Sequence, residues 1–171
     1  MIIAICGGSC SGKTTMARQF RDACILSMDD FYTGKSVMKE PYNFDEPDSI
    51  DFKKIADVLR ELKKGVKKIQ IPNYNMKTSE QDGTKTLTSN KLIIFEGIFS
   101  LYTQELRDLC DLKIYLDIPV DERLRRRIDR DVEKGRSAIE TMEWSKNVEN
   151  MHTLHVESQK DYADMIIPLN Y

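Results

Sequence analysis

Ile2-Ile3-Ala4-Ile5-Cys6-Gly7-Gly8-Ser9-Cys10-Ser11-Gly12-Lys13-Thr14-Thr15 is the stretch whose reading decides the fold. Ile2–Cys6 is short, β-branched and unbroken, the composition of a strand buried on both faces. Gly7-x-x-x-x-Gly12-Lys13-Thr14 follows at once and leads into a helix-compatible run reaching Ala23. Glycines let such a loop curl until successive N–H groups point inward, and the helix N-terminus adds positive potential at the same place. This is the chemistry of a phosphate cradle. Lys13 would act as a mobile charge on the β- and γ-phosphates, and the Thr14 hydroxyl could ligate Mg²⁺. Gly7, Gly8, Ser9, Cys10, Ser11, Gly12, Lys13, Thr14 and Thr15 are the expected nucleotide-binding residues. ATP and Mg²⁺ are the expected cofactors, with GTP as the alternative donor.

Outward from this loop, Cys24–Met28, Leu92–Phe95, Leu112–Asp117 and Ala163–Ile167 read as further strands. Asp48 is the expected N-cap of a helix reaching Lys64 and stopped by Gly65. Ile55, Val58, Leu59 and Leu62 give that helix one apolar stripe. Val66–Tyr74 and Thr84–Thr88 read as a hairpin joined by a polar loop centred on Glu80–Gly83. A charged helix is expected over Val120–Lys134, stopped by Gly135, and a long polar helix over Ser137–Lys160. Strands alternating with helices imply an α/β, three-layer P-loop fold with a mainly parallel sheet and a small antiparallel hairpin as an excursion from it. The expectation is one domain over residues 1–171, with a hairpin excursion at about 66–90 and a lid at about 130–140.

Composition narrows the partners. The 171 residues carry 26 Lys plus Arg against 28 Asp plus Glu, a net charge of −2, which argues against a general nucleic-acid surface. Six of the ten arginines (123, 125, 126, 127, 130 and 136) nevertheless fall within 14 residues, a cationic patch suited to a small anion. The longest apolar run, Met1–Cys6, is far below the ~20 residues of a membrane span, and no charged segment marks it as a signal. The four cysteines form no CxxC pair. Reduced thiols and a cytoplasmic location are expected, with no structural zinc.

In a parallel sheet, ligands sit beyond the C-terminal strand ends. Asp29 and Glu96 both fall there. Phosphoryl transfer needs one carboxylate to accept the proton of an attacking hydroxyl and another to support Mg²⁺ beside the loop hydroxyl, roles expected of Asp29 and of Glu96 with Thr14. Asp30 is expected to cap or face solvent. On the helix Val120–Lys134, Leu124 and Ile128 should supply the buried side. Arg123, Arg127 and Arg130 share another face, read as a clamp over the transferring phosphoryl group, with Gly135 as hinge and Arg125 as a solvated charge. His152 and His155, three apart, are expected to be exposed residues of a polar helix.

Taken in order, these motifs resemble the uridine–cytidine kinase family over nearly the whole chain. Ser27-Met28-Asp29-Asp30-Phe31-Tyr32 is similar to that family's post-strand motif, and Tyr42-Asn43-Phe44-Asp45-Glu46-Pro47-Asp48 to its acceptor loop. Ile71-Pro72-Asn73-Tyr74 is similar to the hairpin over the base. Phe95-Glu96-Gly97-Ile98, Arg107-Asp108-Leu109, Arg123 to Arg136 and Asp161-Tyr162-Ala163-Asp164 continue the match. The resemblance implies that Asp29 is the base on a ribose 5′-hydroxyl and that Asp45 and Arg127 grip the ribose hydroxyls. Tyr32, Phe44, Tyr74 and Ile98 would border the nucleoside, with Arg130 and Arg136 in the lid. A homo-oligomer acting on a small nucleoside, with no nucleic-acid or membrane partner, is implied likewise. Three positions depart from the pattern. Ser79 stands where the family has a base-reading histidine, Trp144 lies near the place of a base-side glutamine, and the turn bearing an acidic residue near the adenine falls past Tyr171.

The function expected is ATP-dependent phosphorylation of the 5′-hydroxyl of uridine or cytidine in pyrimidine salvage. The alternatives are a P-loop kinase of nicotinamide riboside, pantothenate or a sugar phosphate, and a nucleotide-dependent regulatory protein. Asn90-Lys91 is followed by Leu92-Ile93, so no guanine-reading NKxD motif supports the last of these.

Overall fold

The computed structural model describes residues 1–168. Strand β1 (Ile2–Gly7) is buried along its whole length. It lies at the centre of a sheet with β2 (Cys24–Ser27), β5 (Ile93–Glu96), β6 (Leu112–Asp117) and β7 (Met165–Pro168) in the order β2-β5-β1-β6-β7. Every neighbouring pair is parallel. Side chains alternate across a strand. Ile2, Ala4 and Cys6 therefore enter one core with Leu26, Phe95, Phe99 and Leu59, while Ile3 and Ile5 enter a second with Ala17, Ile94 and Leu116. Two covered faces explain the continuous apolar run. This is the α/β fold expected.

The helices are α1 (Lys13–Ala17), α2 (Phe52–Lys63), α3 (Gln104–Leu109), α4 (Val120–Glu133) and α5 (Ala138–Met151). Helix α1 ends well short of Ala23, because Asp22 takes a left-handed φ of 60° and Cys24 already donates to the Leu92 carbonyl. The cap of α2 is Asp51 rather than Asp48, its carboxylate accepting from the Lys54 N–H at 2.9 Å. An extended Ile50 bridged to Tyr32 prevents an earlier start, and Asp48 sits in a 3-10 turn. The stripe Ile55, Val58, Leu59 and Leu62 is buried as expected. Helix α3, which the sequence did not announce, is capped by the Thr103 hydroxyl.

Strands β3 (Lys68–Asn75) and β4 (Glu80–Thr88) form a separate antiparallel pair. The turn is residues 76–79, with Ser79 at φ 58°, so Glu80–Gly83 is strand and not loop. Polar residues suffice there because β4 is exposed along nearly all its length. The expected long helix stops at Met151, and a π turn (His152–Val156) and a 3-10 turn (Glu157–Tyr162) replace its second half. Buried Gln159 fixes that change: its side chain accepts from Leu101 N–H at 3.0 Å and donates to Ile98 O at 2.9 Å. Strand β7 starts at Met165, since the Asp164 side chain is committed to the Lys113 N–H. No helix among the described residues is long and apolar enough to cross a membrane.

Candidate active site

Parallel pairing sets three functional segments side by side. Ile5 of β1 and Ser27 of β2 both register with Glu96 of β5, so the loop after β1, the turn after β2 and the Glu96 carboxylate share one sheet end. Gly12, at φ 96°, turns the loop into α1. A Cβ on Gly8 would lie 2.7 Å from Arg123 Nη1 and 2.9 Å from His152 Nδ1, so a larger residue would force one of those side chains to shift. Lys13, 8% exposed, folds over its own loop and donates to the Gly8 carbonyl at 2.8 Å. Burial lowers its pKa, opposed chiefly by the Glu96 charge. Ser11 Oγ is buried with no partner among the described residues. A lysine held in place, an orphaned hydroxyl and glycine-built curvature suit phosphate oxygens. Beside them opens a cavity of about 730 Å³ lined by Cys10, Gly12, Lys13, Thr14, Thr15 and Arg126, with Leu116 and Ile167 on its apolar side.

Glu96 is buried and accepts from Ser27 Oγ at 2.9 Å and Thr14 Oγ1 at 3.3 Å. Two hydroxyls thus fix a carboxylate beside the cradle, a donor set suited to Mg²⁺ and its waters. Among the described residues no three His, Cys, Asp or Glu side chains cluster as an all-protein metal cage, so such an ion would depend on phosphate oxygens and water.

Asp29 is an exposed residue of the 3-10 turn Met28–Phe31, which starts with the Ser27 hydroxyl accepting from the Asp29 N–H. Solvent reaches its carboxylate, yet protein encloses most of the volume around it. That desolvation, with Glu96 nearby, pushes its pKa up to about 6 against the pull of Lys13 and Arg130. Asp30 neither caps nor faces water; it pairs with Lys85 of β4 and ties the hairpin to this turn.

A second cavity, of about 440 Å³, is lined by Tyr32, Phe44, Asp45, Tyr74 and Arg136, together with Lys35, Tyr42, Met76, Ser79 and Trp144. Tyr32 meets Phe44 edge-on at 5.6 Å and Tyr74 at 5.2 Å. The Asn43 side chain accepts from the Asp45 N–H at 3.1 Å, and the buried Ser49 hydroxyl donates to the Phe44 and Glu46 carbonyls, which holds the loop's shape. Burial raises the Asp45 pKa, and Arg127 and Arg130 oppose it. Asp45 therefore faces the arginines. Ile98 packs on the main core with its carbonyl bonded to Gln159, apart from the residues lining this cavity.

Helix α4 reverses the expected faces. Arg123, Arg127 and Asp131 are its buried residues, while Leu124 and Ile128 are only half-buried. Arg123 braces instead of clamping, donating to the Ile118 carbonyl and to Glu149. Asp131, 3% exposed, holds Arg130 at 2.9 Å and Arg136 at 3.6 Å. Arg125 is exposed and paired with Glu122 and Asp129. Arg126 reaches the Ser11 carbonyl at 3.4 Å. The histidines are not exposed helix residues: both are half-buried in the π turn. His152 lies against Gly8 and Arg123, and burial with the Arg123 charge lowers its pKa to about 4. His155 stacks edge-on to Tyr102.

Sequence reasoning gave no role to Ser27, Arg126, Asp131, Lys35, Tyr42 or Met76. Ser27 stood within a matched motif and Asp131 within the arginine run. Met76 and Lys35 carried no signal, since a hairpin turn and a surface lysine look the same in any chain.

The pattern of the Phosphoribulokinase / Uridine kinase family matches residues 2–170. Uridine-cytidine kinase A of Dictyostelium discoideum is 39% identical over 179 residues, covering 98% of this chain and 36% of that protein. Uridine kinase of Mycoplasma pneumoniae is 35% identical over 181 residues, covering 98% of this chain and 84% of that one. The chain thus spans about a third of the first relative and most of the second. Phosphoribulokinase from Rhodobacter spheroides, 15% identical, superposes with a TM-score of 0.70 over 98% of this chain and 69% of that chain, a likeness of fold.

Proposed function

The chain belongs to the Phosphoribulokinase / Uridine kinase family, and we propose that it transfers the γ-phosphoryl group of ATP to the 5′-hydroxyl of a pyrimidine nucleoside. One observation carries this reading: the Asp29 charge acts both on Lys13 of the phosphate cradle and on Tyr32 and Tyr74, which line a separate aromatic cavity containing Asp45. Phosphoryl transfer needs donor and acceptor sites that meet at a carboxylate. The naming of the D. discoideum and M. pneumoniae relatives supports the nucleoside as acceptor.

In this mechanism the loop N–H groups and Lys13 bind the triphosphate, and Lys13 exchanges the Gly8 carbonyl for phosphate oxygens. Thr14, and Glu96 through water, would hold Mg²⁺, which would supply charge neutralisation to the bound triphosphate. Asp45 in the acceptor cavity, with Arg127 acting on its charge, orients the ribose. Asp29 accepts the 5′-hydroxyl proton as the oxygen attacks phosphorus, and its pKa near 6 leaves it ionised at neutral pH. Arg130 and Arg136, set by Asp131, offset charge on the transferring group. A loose transition state asks more of position than of basicity. Cytoplasmic salvage is the setting that fits this chemistry.

The reading is tested by ADP release with ATP and Mg²⁺ against a panel of nucleosides, nicotinamide riboside, pantothenate and sugar phosphates. Release that depends on uridine or cytidine supports it. Release with another acceptor alone, or hydrolysis without any acceptor, contradicts it.

A further inference from the structure

Antiparallel pairing puts Lys85 of β4 directly across from Ile71 of β3. Residues opposite one another in such a ladder share a face of the ribbon. Ile71 is 1% exposed and belongs to the same core as Met28 and Phe31, so this face is the hairpin's inner one. A cation on that face calls for a counter-charge. Lys85 has one: its Nζ donates to Asp30 Oδ1 at 2.5 Å, and the Asp30 side chain is only 14% exposed.

Other bonds fasten the ribbon to the segment after the turn. Gln81 Nε2 donates to the Tyr32 carbonyl at 3.0 Å, and the Lys35 N–H donates to the Ser79 carbonyl at 3.0 Å. The Glu80 carboxylate accepts from the N–H and the hydroxyl of Ser36, each at 2.8 Å. Lys85 holds something different, the 3-10 turn Met28–Phe31 that carries Asp29. At three residues per turn, successive side chains diverge by about 120°. Asp30 therefore meets β4 while Asp29 stays within the field of Lys13 and Arg130. The start of the turn rests on Ser27, whose hydroxyl accepts from the Asp29 N–H at 3.4 Å and donates to Glu96 at 2.9 Å. Asp29 thus lies between two anchors, one from the sheet and one from the hairpin.

We propose that Lys85 is a positioning residue: by holding Asp30 it fixes the turn that carries Asp29, and so makes the hairpin part of the phosphoryl-transfer geometry. This rests on the reading of Asp29 as the base and deepens it. Lys85 acts through Asp30 and is not itself catalytic. A misplacement of about 1 Å costs roughly 10²-fold in rate, whereas an ion pair with one half-exposed partner adds little to stability. Rate and fold are therefore separable here. The same hairpin lends Tyr74, Met76 and Ser79 to the acceptor cavity, so filling of that cavity and alignment of the base share one support.

Wild type, Lys85→Met, Lys85→Arg, Asp30→Ala and the Lys85→Met/Asp30→Ala double variant are compared in two ways. One is steady-state kinetics with ATP, Mg²⁺ and uridine; the other is amide hydrogen exchange followed by NMR. Lys85→Met is expected to lower kcat roughly 10- to 100-fold with KM for ATP and for uridine nearly unchanged. Lys85→Arg should keep most of the rate, and the double variant should be about as slow as either single one. In Lys85→Met the amides of the turn around Asp29 should exchange several-fold faster while those of β1 keep their wild-type rates. Unchanged exchange at the turn, an unchanged kcat, a change in KM alone, or losses that multiply in the double variant would each overturn the proposal. Exchange needs no acceptor. A wild-type protein that leaves uridine unphosphorylated contradicts the kinase reading, while exchange at the turn still decides whether Lys85 holds it, so the two failures are distinguishable.

Discussion

The Thr14 hydroxyl donates to the Glu96 carboxylate at 3.3 Å, joining residues 82 positions apart in the chain. Thr14 comes from the first turn of α1, just after the central strand, and Glu96 from the end of that strand's neighbour, so parallel register brings the pair to one sheet end. Ser27, from the next strand over, donates to the same carboxylate oxygen at 2.9 Å. Three strand ends thus converge on one candidate Mg²⁺ support.

Glu96→Gln keeps the shape but removes the charge. It is expected to raise the Mg²⁺ concentration for half-maximal rate several-fold and to lower kcat by about 10²-fold. A Mg²⁺ titration of initial rates checks this; an unchanged midpoint would contradict the role of Glu96.

The pKa of Asp29, near 6, makes a pH signature. The free enzyme loses its base as the carboxyl protonates, so kcat/KM should fall on the acid side with an apparent pKa of about 6. Asp29→Asn is expected to remove about 10²–10⁴-fold of turnover while ATP affinity, measured by calorimetry, stays within a few-fold.

The strand–loop–helix core was legible because its signals are local. Ile2–Cys6 alternates between two cores, and the cradle's glycines and lysine lie within eight residues at positions 7–14. Asp29, Glu96 and Asp45 were legible because they follow strands or sit in a motif of several residues. What escaped depends on tertiary pairing. Glu80–Gly83 is polar enough for a loop, yet it pairs with β3. Arg123 of α4 is buried because Glu149 and the Ile118 carbonyl meet it, partners that helical periodicity does not reveal. His152 looked like surface until a π turn, pinned by Gln159 downstream, set it on Gly8.

Asp131 clasps Arg130 and Arg136 while nearly fully buried. Asp131→Asn should loosen both, lowering kcat about tenfold with a smaller change in KM for ATP. Steady-state kinetics with each substrate varied checks this; a pure KM effect would assign the arginines to ground-state binding.

Gly8→Ala would drive a methyl group to 2.7 Å from Arg123 and 2.9 Å from His152. A destabilisation of about 1–3 kcal/mol is expected, with loss of ATP binding. Denaturant melts and calorimetry check it, and a variant that binds ATP normally would show that the cradle does not rest on this contact.

His152 and Asp29 should shape acid stability with opposite signs. His152 titrates near 4 when folded, below its unfolded value of about 6.5. Between those pH values the unfolded chain holds the extra proton, so this group makes stability rise with pH. Asp29, at about 6 when folded and about 3.9 unfolded, makes stability fall with rising pH over its own window. Relative to wild type, urea midpoints of Asp29→Asn should climb more steeply from roughly pH 4 to 6, and those of His152→Phe less steeply. Parallel profiles for all three proteins would contradict both pKa assignments.

The central claim is transfer to a ribose 5′-oxygen with Asp29 as base, and ³¹P NMR of a reaction containing uridine, ATP and Mg²⁺ tests it most directly. The predicted result is a new phosphomonoester resonance coupled to the 5′-methylene protons, growing with wild type and nearly absent with Asp29→Asn. Inorganic phosphate as the sole product, an ester on another hydroxyl, or equal growth with the variant would contradict it.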